Sequence, residues 1–397
     1  MTVTGDSEKV SDLVYLDYAA TTPVDPRVAA TMASMLTIDG DFANASAGHI
    51  AGRRSLARVT HALEQLGVLL NVAPDSLVFT SGATESNNLA ITGAARYREH
   101  RGRHLITMPT EHKAVTDVFR ALEKQGFDVT WLDPDERGVA DIEALAQAIR
   151  DDTQLVSIMH VNNETGVIQD IATIGELCRQ HDVLFHVDAA QSVGKLAIDL
   201  DSLHIDLLSM TAHKLYGPQG IGALYIADRP GCHVEPLLYG GGQQRGLRPG
   251  TMPISLIAGF GHAAEIAAHS MAADLAHLRA LHTRLWSGIR DLPGIVVNGE
   301  IEHGYPGILN VSIADIEGES LLLALEPLCV ATGSACNSQD QEPSYVLRAL
   351  GRSDLLAQSA IRFSFGRLTN NEDIDFAIER YRQAVTRLRN LAPERAA

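Results

Sequence analysis

The sequence predicts an α/β protein: a large domain with a mostly parallel sheet flanked by helices, followed by a smaller α+β C-terminal domain. Three observations predict it. From residue 13 to about 226, short β-rich runs alternate with helical stretches. After Pro253 a long helical segment leads into a second, shorter set of strands and helices. The 397 residues, 45% of them hydrophobic, suffice for two packed cores, and no run is apolar for long enough to cross a bilayer.

The elements follow in order. VYLDY, SLVFT, HLITM, DVTWL, LVSIMHV, VLFHVD, LLSMT and GALYI are rich in β-branched and aromatic residues and predict strands. The helix after the first of them is announced by Asp25 as N-cap and Pro26 just inside. Strands separated by helices pair in parallel, because a helical crossover returns the chain to the same edge. The segment after Pro253 stays helical to about Leu292. IVVNG, ILNVSI, a helix at 319–325, EPSYVLRALG and IRFSF form the second set. The last helix opens with a capping box, Thr369 to Glu372, and places Ile374, Ile378, Tyr381, Val385 and Leu388 on one stripe. The expected domains are 13–262 and 263–397, with the N-terminal segment 1–25 associating with the smaller one.

Charge narrows the function. Thirty-two Lys and Arg against 49 Asp and Glu leave a net charge of −17, which repels phosphate backbones and anionic lipid. No direct nucleic-acid ligand and no membrane association are expected. The opening MTVTGDSEKVSD is polar and acidic, unlike a signal or transit peptide. Cys178, Cys232, Cys329 and Cys336 form no CxxC pair, so neither a metal site nor a disulfide framework is expected, and a reducing cytoplasm is.

Open α/β sheets bind ligands beyond the carboxyl ends of their strands. Here five strand ends run into polar clusters: SGATES, PTEHK, NNETG, DAAQS and AHKLYGPQG. FTSGATES is strand, small-residue turn and helix start, suited to a phosphate, with Thr84 adding a hydroxyl; alone, it is equally a routine capped turn. Asp188 directly follows an apolar strand, where a carboxylate needs a cation or good donors. A pyridinium nitrogen is one such cation, and Gln191, one turn on, can donate to a ring oxygen; capping the next helix is the other reading. Lys214, between a strand and a Gly/Pro turn, can lose its proton and form a Schiff base. His112 can stack on a planar ring or move protons, although single histidines are more often structural. Cys336 stands among small and polar residues in ATGSACNS, without the apolar cover a buried thiol has.

In combination, YLDYAATTPVD, FTSGATES, TEHKAV, HVNNETG, HVDAAQSVGK, HKLYGPQGIGALY, GGGQQRGLRPGT, ATGSACNS and EPSYVLRALG resemble the cysteine desulfurases of the NifS/IscS type, class-V enzymes of pyridoxal-phosphate fold type I. The resemblance spans nearly the whole chain. It implies the conversion of L-cysteine to L-alanine with pyridoxal 5'-phosphate as cofactor, the sulfur passing to an enzyme persulfide. By this resemblance Lys214 carries the cofactor, Asp188 pairs with the pyridine nitrogen, and His112 stacks on the ring and handles protons. Asn163 and Gln191 contact the ring oxygen and substrate. Ala83, Thr84, Thr211 and His213 hold the phosphate, with Thr251 reaching in from a second copy in a homodimer. Arg362 clamps the substrate carboxylate and Cys336, in the catalytic loop 331–342, is the nucleophile. FANASAGH is one residue shorter than the usual pattern and Thr211 replaces a common serine; neither removes a chemical group. A sulfur-acceptor protein is implied, in iron–sulfur cluster assembly, tRNA thiolation or DNA phosphorothioation. The sequence ends NLAPERAA, without the docking tail of scaffold-serving relatives, so weak binding to the common scaffold is expected. Another class-V enzyme, such as a selenocysteine lyase or an aminotransferase, would keep Lys214 and Asp188 without needing Cys336. A sulfur-relay subunit dedicated to one partner would keep all three.

Overall fold

The computed structural model describes residues 13–332 and 342–391. After a short strand β1 (Val14–Tyr15) and the helix Pro26–Ala33, seven strands form the main sheet: β2 (Leu77–Thr80), β3 (His104–Thr107), β4 (Asp128–Trp131), β5 (Thr153–Ser157), β6 (Leu184–Asp188), β7 (Leu207–Thr211) and β8 (Gly222–Ile226). Their order across the sheet is β2-β8-β7-β6-β5-β3-β4. From β7 to β4 every pairing is parallel. β8 alone is reversed, antiparallel to both β2 and β7. Only a short connection joins β7 to β8, and a turn without a crossover helix sends the chain back the other way.

Helices cover both faces. Ile106, Val156, Val187 and Leu208 belong to one apolar cluster, while Leu105, Leu155, Leu184 and Leu207 belong to the other. Successive residues thus face opposite sides, and burial on both explains the near-continuous apolar runs. Asp25 caps the first helix as expected, accepting from Arg27 N at 2.9 Å.

The chain divides into two compact units. One holds the seven-stranded sheet and spans 21–163 and 167–275; the other takes 164–166, the chain from 276 on and the N-terminal segment up to residue 20. The division falls inside the continuous helix Ile254–Ile289, beyond the expected 262/263, because no turn interrupts that helix. In the second unit β9 (Ile295–Val297), β10 (Ile308–Ile313), β12 (Ala331–Thr332) and β13 (Ile361–Ser364) form an antiparallel sheet ordered β12-β13-β10-β9. β1 pairs in parallel with β11 (Leu328–Cys329).

The last helix, Asn371–Leu391, corrects one expectation. Its capping box is Asn370 with Asp373, each backbone N–H donating to the other's side chain at 2.9 Å. Thr369 is diverted: its hydroxyl accepts from Gly366 N at 3.1 Å and closes the preceding turn.

Candidate active site

Two glycines shape the turn between β2 and the helix that follows it. β2 ends at Thr80, and Gly82 caps the helix Ala83–Tyr97 with φ +150°, a conformation that favours glycine. A Cβ on Gly222, in the adjacent β8, would stand 2.7 Å from Gly82 Cα and 2.5 Å from Met210 O. The close approach sets the helix N-terminus against the sheet end. Its first-turn N–H groups, at Ala83 and Thr84, have no partner within the helix and carry the positive end of its dipole. Thr211, buried at the end of β7, stands beside the turn, its Oγ1 3.9 Å from where a Gly82 Cβ would lie. Glu85 ties this turn to the glycine-rich segment: Oε2 accepts from Ser81 N at 2.7 Å and Oε1 from Arg248 Nε at 2.9 Å. Burial works against its charge, but these donors hold its carboxyl below the usual range.

Asp188 closes β6 and is 5% exposed. Oδ1 accepts from Ala190 N at 2.9 Å and Oδ2 from Asn87 Nδ2 at 2.7 Å. Asn87 is fully buried on the helix that starts at the two-glycine turn, and its Oδ1 has no hydrogen bond. One helix therefore supplies both the unpaired first-turn N–H groups at the strand end and the donor that orients Asp188. Gln191 is buried, its Oε1 accepting from Lys195 Nζ at 2.9 Å, so its NH2 faces away from that lysine.

Lys214 ends the short turn after β7 and is half-buried. His213 beside it falls to about 4 through burial, then through the charges of Lys214 and Lys195. Its Nδ1 lies 3.1 Å from Thr21 Oγ1. His112 caps the helix Lys113–Lys124: Nδ1 accepts from Ala114 N at 3.0 Å, so the neutral ring carries its proton on Nε2. Burial holds its pKa below the usual imidazole range, with Lys214 adding and Asp188 opposing. A groove of about 420 Å³ runs from Thr84 and His112 past Asn88, Lys113 and Asp117. Behind it, Glu111 is fully buried and accepts at Oε1 from Met159 N at 2.8 Å; burial, with Asp188 nearby, raises its carboxyl well above the usual range.

Asn163 is half-buried in a turn held by Asn162, which donates from N to Val167 O at 2.9 Å and from Nδ2 to Thr110 O at 3.0 Å. Ala83, Thr84, His112, Asp188, Gln191, Thr211, His213 and Lys214 thus gather at the strand ends of one unit. Thr251 belongs to that unit but lies exposed after the glycine-rich segment. Arg362 belongs to the second unit, on β13, and donates from Nη2 to Asp17 Oδ1 at 2.7 Å. Cys336 lies outside the described residues. Of the other thiols, Cys178 and Cys232 are buried, but Cys329, which its apolar neighbours suggest is packed, is only half-buried in the two-residue β11. Burial raises all three thiols, Cys232 to about 12. Among the described residues no cluster of metal-ligating side chains occurs, and no helix is long and apolar enough to cross a membrane.

Asn87, Glu111 and Glu164 were not singled out by the sequence. Asn87 had a signal: it shares a helical stripe with Ala90, Ile91 and Ala94, so a polar residue interrupts a buried face.

The class-V aminotransferase family model matches residues 14–376. A cysteine desulfurase IscS of Salmonella arizonae is 55% identical over 381 residues, covering 96% of this chain and 94% of its own. Among solved structures, a NifS-like protein superposes with a TM-score of 0.88 at 35% identity, covering 95% of this chain and 100% of that one. SspA, solved in complex with cysteine, superposes with a TM-score of 0.78 at 39% identity, covering 89% of this chain and 98% of its own. The fold is that of a fold-type-I, class-V enzyme. The chain belongs to the class-V aminotransferase family and, within it, to the cysteine desulfurases.

Proposed function

We propose that this chain binds pyridoxal 5'-phosphate at the strand-end site and desulfurates L-cysteine, storing the sulfur as a persulfide on Cys336 before a protein acceptor removes it. The observation that carries the reading is the buried Asp188, whose hydrogen bonds from Asn87 and Ala190 are both from neutral donors, with Asn87 on the helix that starts at the two-glycine cradle. A buried carboxylate so placed fits a ring N–H⁺, and the cradle fits a phosphate dianion. Ala83, Thr84, Thr211 and His213 would hold the phosphate, Asp188 the pyridine nitrogen, Gln191 and Asn163 the ring oxygen, and Lys214 the aldehyde carbon. Bound there, the cofactor supplies an electron sink for a substrate joined through its amine.

The protein's own groups do the rest. Arg362 grips the substrate carboxylate with its planar fork. Lys214 Nζ is the base at the substrate Cα, and His112 holds a transferable proton at Nε2. The Cys336 thiolate attacks the substrate sulfur; an S–S bond forms as the C–S bond breaks, giving alanine and the persulfide without an external oxidant. The enzyme works as a homodimer, with Thr251 of a second copy completing each phosphate site. Its setting is the reducing cytoplasm, a reading supported by the unpaired thiols Cys178, Cys232 and Cys329. The acceptor presents basic groups to the acidic surface.

Replacing Cys336 by Ser tests the chemistry. The variant is expected to keep its yellow cofactor and to bind cysteine, yet to yield alanine and sulfide at least about a hundredfold more slowly, since nucleophile loss removes the covalent route. Borohydride should fix the cofactor to Lys214. Sulfide release at the wild-type rate by Cys336→Ser, or label on another lysine, refutes the assignment and favours a lyase without a thiol nucleophile.

A further inference from the structure

Asn87 lies in the second turn of the helix Ala83–Tyr97, fully buried. Its Nδ2 donates to Asp188 Oδ2 at 2.7 Å, while its Oδ1 is buried without a hydrogen bond. The polar residues on either side of it are placed differently. Ser86 Oγ lies 2.8 Å from Thr80 Oγ1 and donates to Ala223 O at 3.1 Å. Asn88, half-buried, donates from Nδ2 to Thr84 O at 2.9 Å. Turning the Asn87 amide over would set Oδ1 against Asp188 Oδ2, acceptor against acceptor, so the amide orientation is fixed and its carbonyl is left over. A buried carbonyl without a donor is a net loss. An apolar side chain of the same branching, such as leucine, leaves no such orphan. What the amide adds is one neutral donor to Asp188.

The surroundings of Asp188 give that donor its weight. His186, two residues earlier, faces the same side of β6, with Nδ1 2.8 Å from Ser157 Oγ and Nε2 3.0 Å from Ser209 Oγ. Ala190 N is the second donor to the carboxylate. His186, His112 and Glu111 act on Asp188 electrostatically, and burial drives all three towards their uncharged forms, His186 to about 4. Asp188 is thus steadied by uncharged donors, which favour its charged form without cancelling the charge.

We infer that Asn87 is a positioning residue for the cofactor ring: its amide keeps Asp188 ionised and aimed, so that the ring N–H⁺ meets a full negative charge. The inference rests on the reading that Asp188 pairs with the pyridine nitrogen. Without the amide donor the buried carboxyl takes up a proton more readily, and the ring loses its counter-ion.

The probes are pyridoxal 5'-phosphate and its analogue with CH in place of the ring nitrogen, each bound to apoprotein and followed by absorbance. The analogue keeps the phosphate and the aldehyde but has no ring N–H. Asn87→Ala should weaken binding of pyridoxal phosphate by about tenfold or more, the scale of a hydrogen bond to a charged group, and leave the analogue within about twofold of wild type. Asn87→Leu, which refills the volume, should behave alike, so a cavity is not the cause. Either variant that folds is sufficient for the comparison. Asp188→Asn should show the same selective loss. An Asp188→Asn protein that does not discriminate between the two ligands overturns the reading of Asp188 and the inference with it. If Asp188→Asn is selective while the Asn87 variants lose both ligands equally, or neither, Asn87 serves only its helix and the inference alone is overturned.

Discussion

His112 shows how much one atom can decide. Its Nδ1 caps a helix by accepting from Ala114 N, so a proton there would break the cap. Burial and Lys214 disfavour that proton further, so the ring is held neutral with Nε2–H available. Two substitutions separate the roles. His112→Asn keeps a good cap acceptor but loses the ring, and should slow single-turnover alanine formation about a hundredfold or more with little change in thermal stability. His112→Ala should lose the same rate and, in addition, about 1 kcal/mol of stability. Equal melting temperatures for the two would show that the cap is unimportant; near-normal turnover by His112→Asn would remove His112 from the chemistry. At this scale the sequence exposed the residues that interrupt small-residue turns, such as Asp188, Lys214 and His112. It hid those whose partners come from distant segments. Asn87 meets Asp188 and Glu164 meets Ser344 only after folding, and neither spacing is periodic.

Elements place these side chains, and the junction of β2, β8 and the helix Ala83–Tyr97 is the tightest. Gly222 touches Gly82 across paired strands, with Met210 O on its other side, so both obstacles to a Cβ are backbone. Gly222→Ala must push the cradle turn outward. The expected result is a destabilisation of about 1–3 kcal/mol, typical of overpacking, together with faster cofactor loss on dialysis, followed by the yellow absorbance. Retention of the cofactor at the wild-type rate would mean that the turn does not hold the phosphate. The strand runs and helix spans were legible because both-face burial leaves long apolar stretches and because caps such as Asp25 are local. The reversal of β8 was not, since GALYI reads the same in either direction and only the shortness of the preceding connection hints at it. The capping box at the last helix slipped by one residue because Thr369 and Asn370 are both good caps; the choice between them is made by Gly366, three residues back, whose N–H takes up the Thr369 hydroxyl.

The whole molecule bears on Thr251, a predicted phosphate ligand that lies exposed. Its segment is nonetheless anchored. Gln244 accepts from Phe79 N at 2.6 Å and donates to Phe79 O at 2.9 Å, as a neighbouring strand would. Gln243 Oε1 accepts from Gly250 N at 2.8 Å, and Arg248 is paired with Glu85. A segment held at its base that presents an exposed threonine is suited to complete a site on another copy. The same unit exposes large apolar side chains at Leu36, Ile38, Ile50 and Tyr239, the last 84% exposed, and such surface favours self-association. A carboxylate at position 251 should repel a phosphate strongly, so Thr251→Glu is expected to empty the sites of its homodimer, as Lys214→Ala should inactivate its own. Mixed and allowed to exchange, the two should form heterodimers with one site carrying Lys214 and an intact Thr251, and one lacking both. Random pairing then restores about a quarter of the wild-type activity. Mixtures no more active than the parents, with subunit exchange confirmed by mass, would place Thr251 at its own chain's site or at none.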